Sequence, residues 1–180
     1  FGAINRDGPV QVVPDGASPY LGSKVVVGQD TVDLSGVVFT VEPEEGLRLS
    51  SGDGPQTLAF VYEHPTSDFT FRVEYAFDPD EYTLGVSGSL SGVDRALLVT
   101  DLGEGLAYAE ADSALEQRSM AYVYNHLQDG IRSTLLDKAD VEVVEGPLIW
   151  AALRSKFFVT ALLSGSADEA VDDTGYLGGL

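Results

Sequence analysis

The sequence contains no cysteine, a single methionine, a single tryptophan and two histidines among its 180 residues. The lack of cysteine excludes disulfide bonds and thiolate metal sites. It does not indicate a compartment, because larger domains outside the cytoplasm often need no disulfide.

Positive charge is also scarce, since 10 Lys and Arg residues stand against 29 Asp and Glu residues and the net charge is −19. A nucleic-acid partner requires a basic surface, and the chain has no cluster of Lys or Arg. The same charge disfavours adhesion to an anionic membrane surface. We interpret the acidity as a solubility feature and expect no nucleic-acid partner.

Long hydrophobic runs are absent as well. The most apolar segment, residues 147–163, contains Arg154 and Lys156 near its middle, whereas a membrane helix needs about 20 residues with few charges. We therefore predict that this segment belongs to a protein core. The chain begins at Phe1 with neither a methionine nor a signal peptide, so we expect a processed or partial polypeptide.

What the sequence does contain is a period-two alternation of apolar and polar residues. Aromatic and branched residues alternate with mostly polar ones over residues 68–77, which is typical of a half-buried antiparallel strand. Residues 57–63 and 82–90 repeat this pattern, and turn residues separate the three runs. The pattern predicts a meander of three strands.

Shorter candidate strands lie at residues 10–13, 24–27, 37–41, 95–100, 120–124 and 141–144. Residues 150–163 favour strands over a helix because they contain β-branched and aromatic residues. Residues 103–118 are expected to form an exposed loop with about one helical turn. Short strands separated by turn signals roughly every eight to twelve residues predict an all-β fold, an antiparallel β-sandwich with short helical or loop insertions.

We divide the chain into a β-sandwich domain, residues 1–165, which we expect to be incomplete at its C-terminus, and an acidic tail or loop rich in Gly and Asp, residues 166–180. Six aromatic residues of the predicted strands are expected to form the structural core. The residues predicted for it are Phe69, Phe71, Tyr75, Trp150, Phe157 and Phe158.

Candidate catalytic and metal-binding groups are few. His64 lies in a turn and His126 follows two tyrosines, but the G-x-S-x-G nucleophile motif and the phosphate-binding glycine motifs are absent. Two acidic clusters, at residues 78–81 and 168–173, do not match the twelve-residue calcium loop. We therefore predict no catalytic, cofactor-binding or metal-binding residue, and no small-molecule ligand.

Three stretches of the chain resemble the large periplasmic domain of the YidC-type membrane protein insertases. Residues 9–39 contain PVQVVPD followed by TVDLSGVVF, residues 57–87 contain the aromatic-rich meander, and residues 146–163 read GPLIWAALRSKFFVTALL. A further glycine-containing turn, residues 102–106, lies where the family has one. The resemblance covers residues 9–165 and is one of order and pattern rather than of a catalytic signature.

The resemblance implies a β-supersandwich fold similar to galactose mutarotases, a periplasmic location, and tethering to the inner membrane. It also implies a non-catalytic scaffolding role in an insertase and chaperone that inserts and folds membrane proteins, with protein–protein contacts to membrane-complex subunits such as those of the Sec translocon. Because insertion by the family depends on membrane helices outside this domain, two alternatives stay open. The chain would then be an accessory structural subunit of another membrane complex, or a sugar-binding, mutarotase-like sandwich.

Overall fold

The computed structural model describes residues 11–16, 22–103, 106–108, 113–136, 143–165, 175 and 177–179. Within these residues the chain forms three antiparallel sheets, one short helix and one 3₁₀ turn. The predicted all-β antiparallel class is therefore confirmed. The chain divides into two compact units, unit 1 with residues 1–21 and 102–180 and unit 2 with residues 22–101.

Unit 2 contains two sheets with the strand orders β2-β1-β7 and β3-β4-β5-β6. The 3₁₀ turn Leu34–Gly36 follows β2, and the side chain of Asp33 caps it by accepting a hydrogen bond from the Ser35 amide. The strands are β1 Gly22–Val27, β2 Asp30–Asp33, β3 Thr40–Glu42, β4 Gln56–Glu63, β5 Thr70–Phe77, β6 Leu84–Ser91 and β7 Leu97–Asp101.

The predicted meander is present as β4, β5 and β6, which pair in register over their full length. Its alternation places Phe71, Val73 and Tyr75 on one face of β5 because successive side chains of a strand point to opposite faces. Where β6 ends, Gly92 has a φ of +77°, and a Cβ there would overlap the carbonyl oxygen of Asp68. Only glycine fits this close approach.

The core of unit 2 lies between its two sheets. Val25 of β1, Leu34 of the 3₁₀ turn and Phe71 of β5 are buried at 0%, 4% and 2% exposure and form one cluster. Residues from both sheets pack against this cluster, including Val32 of β2 and Val73 of β5. Unit 2 is therefore itself a small sandwich with an apolar interior.

Unit 1 contains one five-stranded sheet with the order β11-β10-β8-β9, in which β12 also pairs with β10. Tyr124, Leu148 and Ala151 form its buried cluster. The elements are α1 Ser113–Gln117, β8 Ala121–His126, β9 Gly130–Leu135, β10 Glu145–Arg154, β11 Val159–Leu163 and β12 Leu177–Gly179.

Several local predictions differ from the structure. In the predicted strands 10–13 and 141–144, residues 11–13 and 143–144 are not strands, and residues 10, 141 and 142 lie outside the described residues. Strand β3 is shorter than predicted because Val37 closes the 3₁₀ turn with a hydrogen bond from its amide to the Leu34 carbonyl. The one helical turn expected in residues 103–118 is present as α1. Residues 177–179 pair as β12, while residues 166–174 lie outside the described residues. The predicted boundary at residue 165 therefore stays a prediction.

Candidate interaction surface

Both histidines make hydrogen bonds within turns. His64 Nδ1 lies 2.9 Å from the Ser67 hydroxyl in the loop between β4 and β5. His126 Nδ1 accepts from the backbone amides of Gln128 and Asp129, each at 3.2 Å, in the hairpin between β8 and β9. In both cases the ring nitrogen satisfies groups within three residues, which is a local structural role.

The acidic cluster at residues 78–81 is explained by loop structure. The Asp80 carboxylate accepts from the Ser51 hydroxyl and from the Gly52 amide at 2.9 Å, which ties the β5–β6 turn to the β3–β4 loop. These bonds, that of the Ser51 hydroxyl first, hold the pKa of Asp80 below its usual value. The second cluster, residues 168–173, lies outside the described residues. Within the described part of the chain no group of three or more His, Cys, Asp or Glu side chains is placed to hold a metal ion.

A shallow pocket of about 470 Å³ opens in unit 2. Neither an aromatic ring nor a histidine lines it, although a sugar-binding cleft would be expected to combine such groups. Tyr124 of β8 is buried at 8% exposure and stacks on Tyr122 with the ring centroids 6.4 Å apart. The pocket is lined by Val26, Gly28, Asp94, Arg95, Ala96 and Leu97.

The six residues predicted for the core occupy different environments. Phe71 is buried in the unit 2 cluster, whereas Phe157 is 51% exposed and its ring lies 4.8 Å from Lys156 Nζ. Phe157 falls in the turn between β10 and β11, where the Phe157 and Phe158 amides donate to the Ser155 hydroxyl. The alternation expected through this residue is broken by that turn. Partial burial is found for Phe69, Tyr75, Trp150 and Phe158.

The apolar face of the four-stranded sheet extends beyond the buried cluster of unit 2. Tyr75 contacts Phe60 edge to face at 5.8 Å and Phe77 at 6.4 Å between ring centroids. Burial raises the pKa of the Tyr75 hydroxyl. The next residues of this face in register, Val86 and Leu84 of β6, are 48% and 39% exposed. The aromatic face therefore ends in apolar side chains that are open to solvent.

Strands β6 and β7 each end a sheet of unit 2, and we call the two strands together the open edge. Leu97, Leu98 and Val99 are consecutive in β7 and are 69%, 47% and 48% exposed. Leu98 pairs with the buried Val25 and therefore points to the inner face of the sandwich. The carbon Leu98 Cδ2 would lie 4.0 Å from a Cβ built on Gly88 of β6, so the two edge strands meet there.

The outer face of the four-stranded sheet is polar by contrast. Arg72 of β5 forms ion pairs at 2.7 Å with Glu42 of β3 and with Glu74. These hydrogen bonds, with Glu42 first, raise the pKa of Arg72. Ala59, which pairs with both glutamates in register, is buried at 2% exposure. The large apolar side chains that are exposed on this sheet, Leu84 and Val86, therefore lie on its inner face.

Sequence reasoning predicted the strands of the open edge but not their exposure. The sequence feature that could have indicated an exposed edge is the composition of β6, LGVSGSLS, which contains two glycines and no charged residue. An edge strand is normally protected by charged residues, proline or a bulge.

Comparison with known proteins connects this architecture to one family. The family model of the YidC periplasmic domain matches residues 3–174. Neither the curated proteins nor the solved structures provide a match. In the described part of the chain, no helix is long and apolar enough to span a membrane. The family's own description implies a periplasmic location. Because the match covers nearly the whole sequence, the chain belongs to the YidC periplasmic domain family.

Proposed function

We propose that this chain is the non-catalytic periplasmic domain of a YidC-like membrane protein insertase and chaperone, in which it makes protein–protein contacts and acts as a scaffold for subunits of the membrane complex. The observation that carries the proposal is the family match over residues 3–174. Contacts with subunits of the Sec translocon type are part of the proposal, as is tethering to the inner membrane.

The geometry supports a binding role over a catalytic one. The Nδ1 atoms of both histidines face turn groups, and Asp80 is held by the β3–β4 loop. A general acid or base must reach a substrate proton directly or through one water. The open edge carries five exposed apolar residues, Leu84, Val86, Leu97, Leu98 and Val99, and exposed apolar patches mark interaction sites.

The test is the size and membrane behaviour of the native polypeptide. An antibody raised against this chain is applied to fractionated source cells, and the membranes are extracted with alkaline carbonate. We expect a band far heavier than the 19.1 kDa of the chain that resists extraction. A band near 19.1 kDa that washes off the membrane would contradict the insertase proposal and favour an accessory subunit.

Cross-linking then tests the contacts. A photoreactive residue is placed at Leu98 on the open edge and, as the control, at Val38, which is 89% exposed but lies outside the strands. We expect cross-links to translocon subunits from position 98 only. Equal cross-linking from both positions would contradict the proposed contacts, and so would the lack of any cross-link from position 98 to a translocon subunit.

A further inference from the structure

The β6 strand is an edge without the usual protection against pairing. It is eight residues long and the longest edge strand in the part of the chain that the structure describes. It pairs with β5 from Leu84 to Ser91 without a register shift. Charge, proline and bulges, which keep natural edges from pairing with other chains, are missing from it. The other side of β6 is therefore suited to receive another strand.

The side chains beside this edge are apolar on one face only. We call Leu84, Val86 and Leu98 the apolar strip, because all three point to the inner face of the sandwich and are 39%, 48% and 47% exposed. Gly88 leaves a gap that the Leu98 side chain approaches. A strand added to β6 would cover this strip with every second side chain, since those side chains share one face.

The charges near the edge select the partner. Four acidic residues flank β6 in sequence, namely Asp78, Asp80 and Glu81 before it and Asp94 after it. Within residues 78–95, all of which the structure describes, Arg95 is the one basic residue. The whole chain carries a net charge of −19. A second copy of the chain would be repelled by this charge, whereas a segment with basic flanks would be attracted.

We propose that the β6 edge binds an extended polypeptide segment of a partner protein as an added strand, with apolar side chains at alternate positions and Lys or Arg at its flanks. The added strand would hydrogen-bond to the backbone of Leu84–Ser91 and place its apolar side chains on the strip. This inference rests on the proposed function, which requires contacts with other proteins, and it adds the surface and the chemistry of the partner.

The experiment uses the 180-residue chain and a fluorescein-labelled peptide in which alternating Val and Thr are flanked by two Lys at each end. Binding is measured by fluorescence anisotropy, and backbone pairing is measured by hydrogen exchange with mass spectrometry. We expect saturable binding and slower exchange of those amides of Leu84–Ser91 that point away from β5, because an added strand accepts their hydrogen bonds. No binding, or binding without this protection, would overturn the proposal.

Matched substitutions separate the strip from general electrostatics. Val86→Lys places an ammonium group where the partner's apolar side chain must pack, so we expect the affinity to fall about tenfold or more. Ile131→Lys makes the same charge change on the edge strand β9, where Ile131 is 64% exposed, and should change the affinity less than about twofold. Equal losses in both variants would overturn the proposal.

Three further measurements keep the test decisive. Leu98→Lys repeats the change on β7, and circular dichroism of each variant shows which ones are folded. A peptide with Glu in place of the flanking Lys should bind at least about tenfold more weakly, and equal affinity would overturn the choice of a basic partner. The fractionation result is independent of peptide binding, so failure of this inference and failure of the proposed function are distinguishable.

Discussion

Truncation of Phe71 should cost far more stability than truncation of Phe157, although sequence reasoning placed both in the core. Phe71 is 2% exposed, packs in the cluster with Val25 and Leu34, and contacts the ring of Phe39 edge to face at 6.3 Å. Phe71→Ala removes this burial and leaves a cavity, which lowers the free energy of unfolding by about 3–5 kcal/mol. The ring contact with Phe39 accounts for about 0.5–1.5 kcal/mol of that loss.

Phe157 provides the matched comparison because the same atoms are removed. About half of its surface is already in water. Roughly half of the 1.5–3 kcal/mol expected for full burial is therefore at stake, and no closed cavity forms. With the loss of the Lys156 contact, which adds about 0.5–1 kcal/mol, we expect Phe157→Ala to cost about 1.3–2.5 kcal/mol.

Urea denaturation followed by far-ultraviolet circular dichroism measures both losses. Phe71→Leu, which keeps most of the volume, serves as the control and should cost less than about 1.5 kcal/mol. A loss for Phe157→Ala that equals or exceeds the loss for Phe71→Ala would refute the burial argument.

Two other predictions concern loops. Gly92→Ala should lower the midpoint of thermal unfolding more than Gly52→Ala, because both residues have positive φ but only Gly92 also has the Asp68 backbone in the way of a Cβ; equal shifts would contradict this. Asp80→Asn should flatten the pH dependence of stability in acid. Since the folded pKa of Asp80 is below its ordinary 3.8, its stabilisation is present above that pH and is lost as the pH falls through the folded pKa. The urea midpoints of Asp80→Asn and the parent chain should therefore differ more at pH 6 than at pH 3, and a constant difference would exclude this role.

The strands with strong alternation were the predictable part of the fold. The aromatic residues of β5 define one face, and β4 and β6 follow from the turns beside them. The strand β9, which was missed, has a weaker signal because Arg132 and Ser133 stand beside Ile131. Its turn has a sequence signal in the Asp129-Gly130 pair, and in the structure Gly130 has a φ of +74° where the hairpin loop ends.

The open edge could not be predicted because exposure depends on pairing between distant residues. The run Leu97-Leu98-Val99 resembles a buried strand in sequence, and β-branched and aliphatic residues favour strands whether they are central or at an edge. Among the described strands β7 pairs with β1 alone. This pairing, which the sequence does not show, places the run at the end of a sheet. In the same way, Phe157 resembled a core residue until the turn at Ser155 was known.

The pairing of β1 with β7 has a consequence for how the chain folds. Gly22 and Asp101 are partners in that ladder, so the first and last residues of unit 2 lie side by side. The two sequence segments of unit 1 are separated by the whole of unit 2 along the chain. Once the inserted unit has folded, the two segments of unit 1 are connected as if by a loop of only a few residues. Loop closure costs about 0.6 kcal/mol for each doubling of length, so prior folding of the insert reduces the entropic cost for its host by roughly 2–3 kcal/mol. The folded insert thereby brings together the two chain segments that flank it and lowers the entropic cost of their pairing.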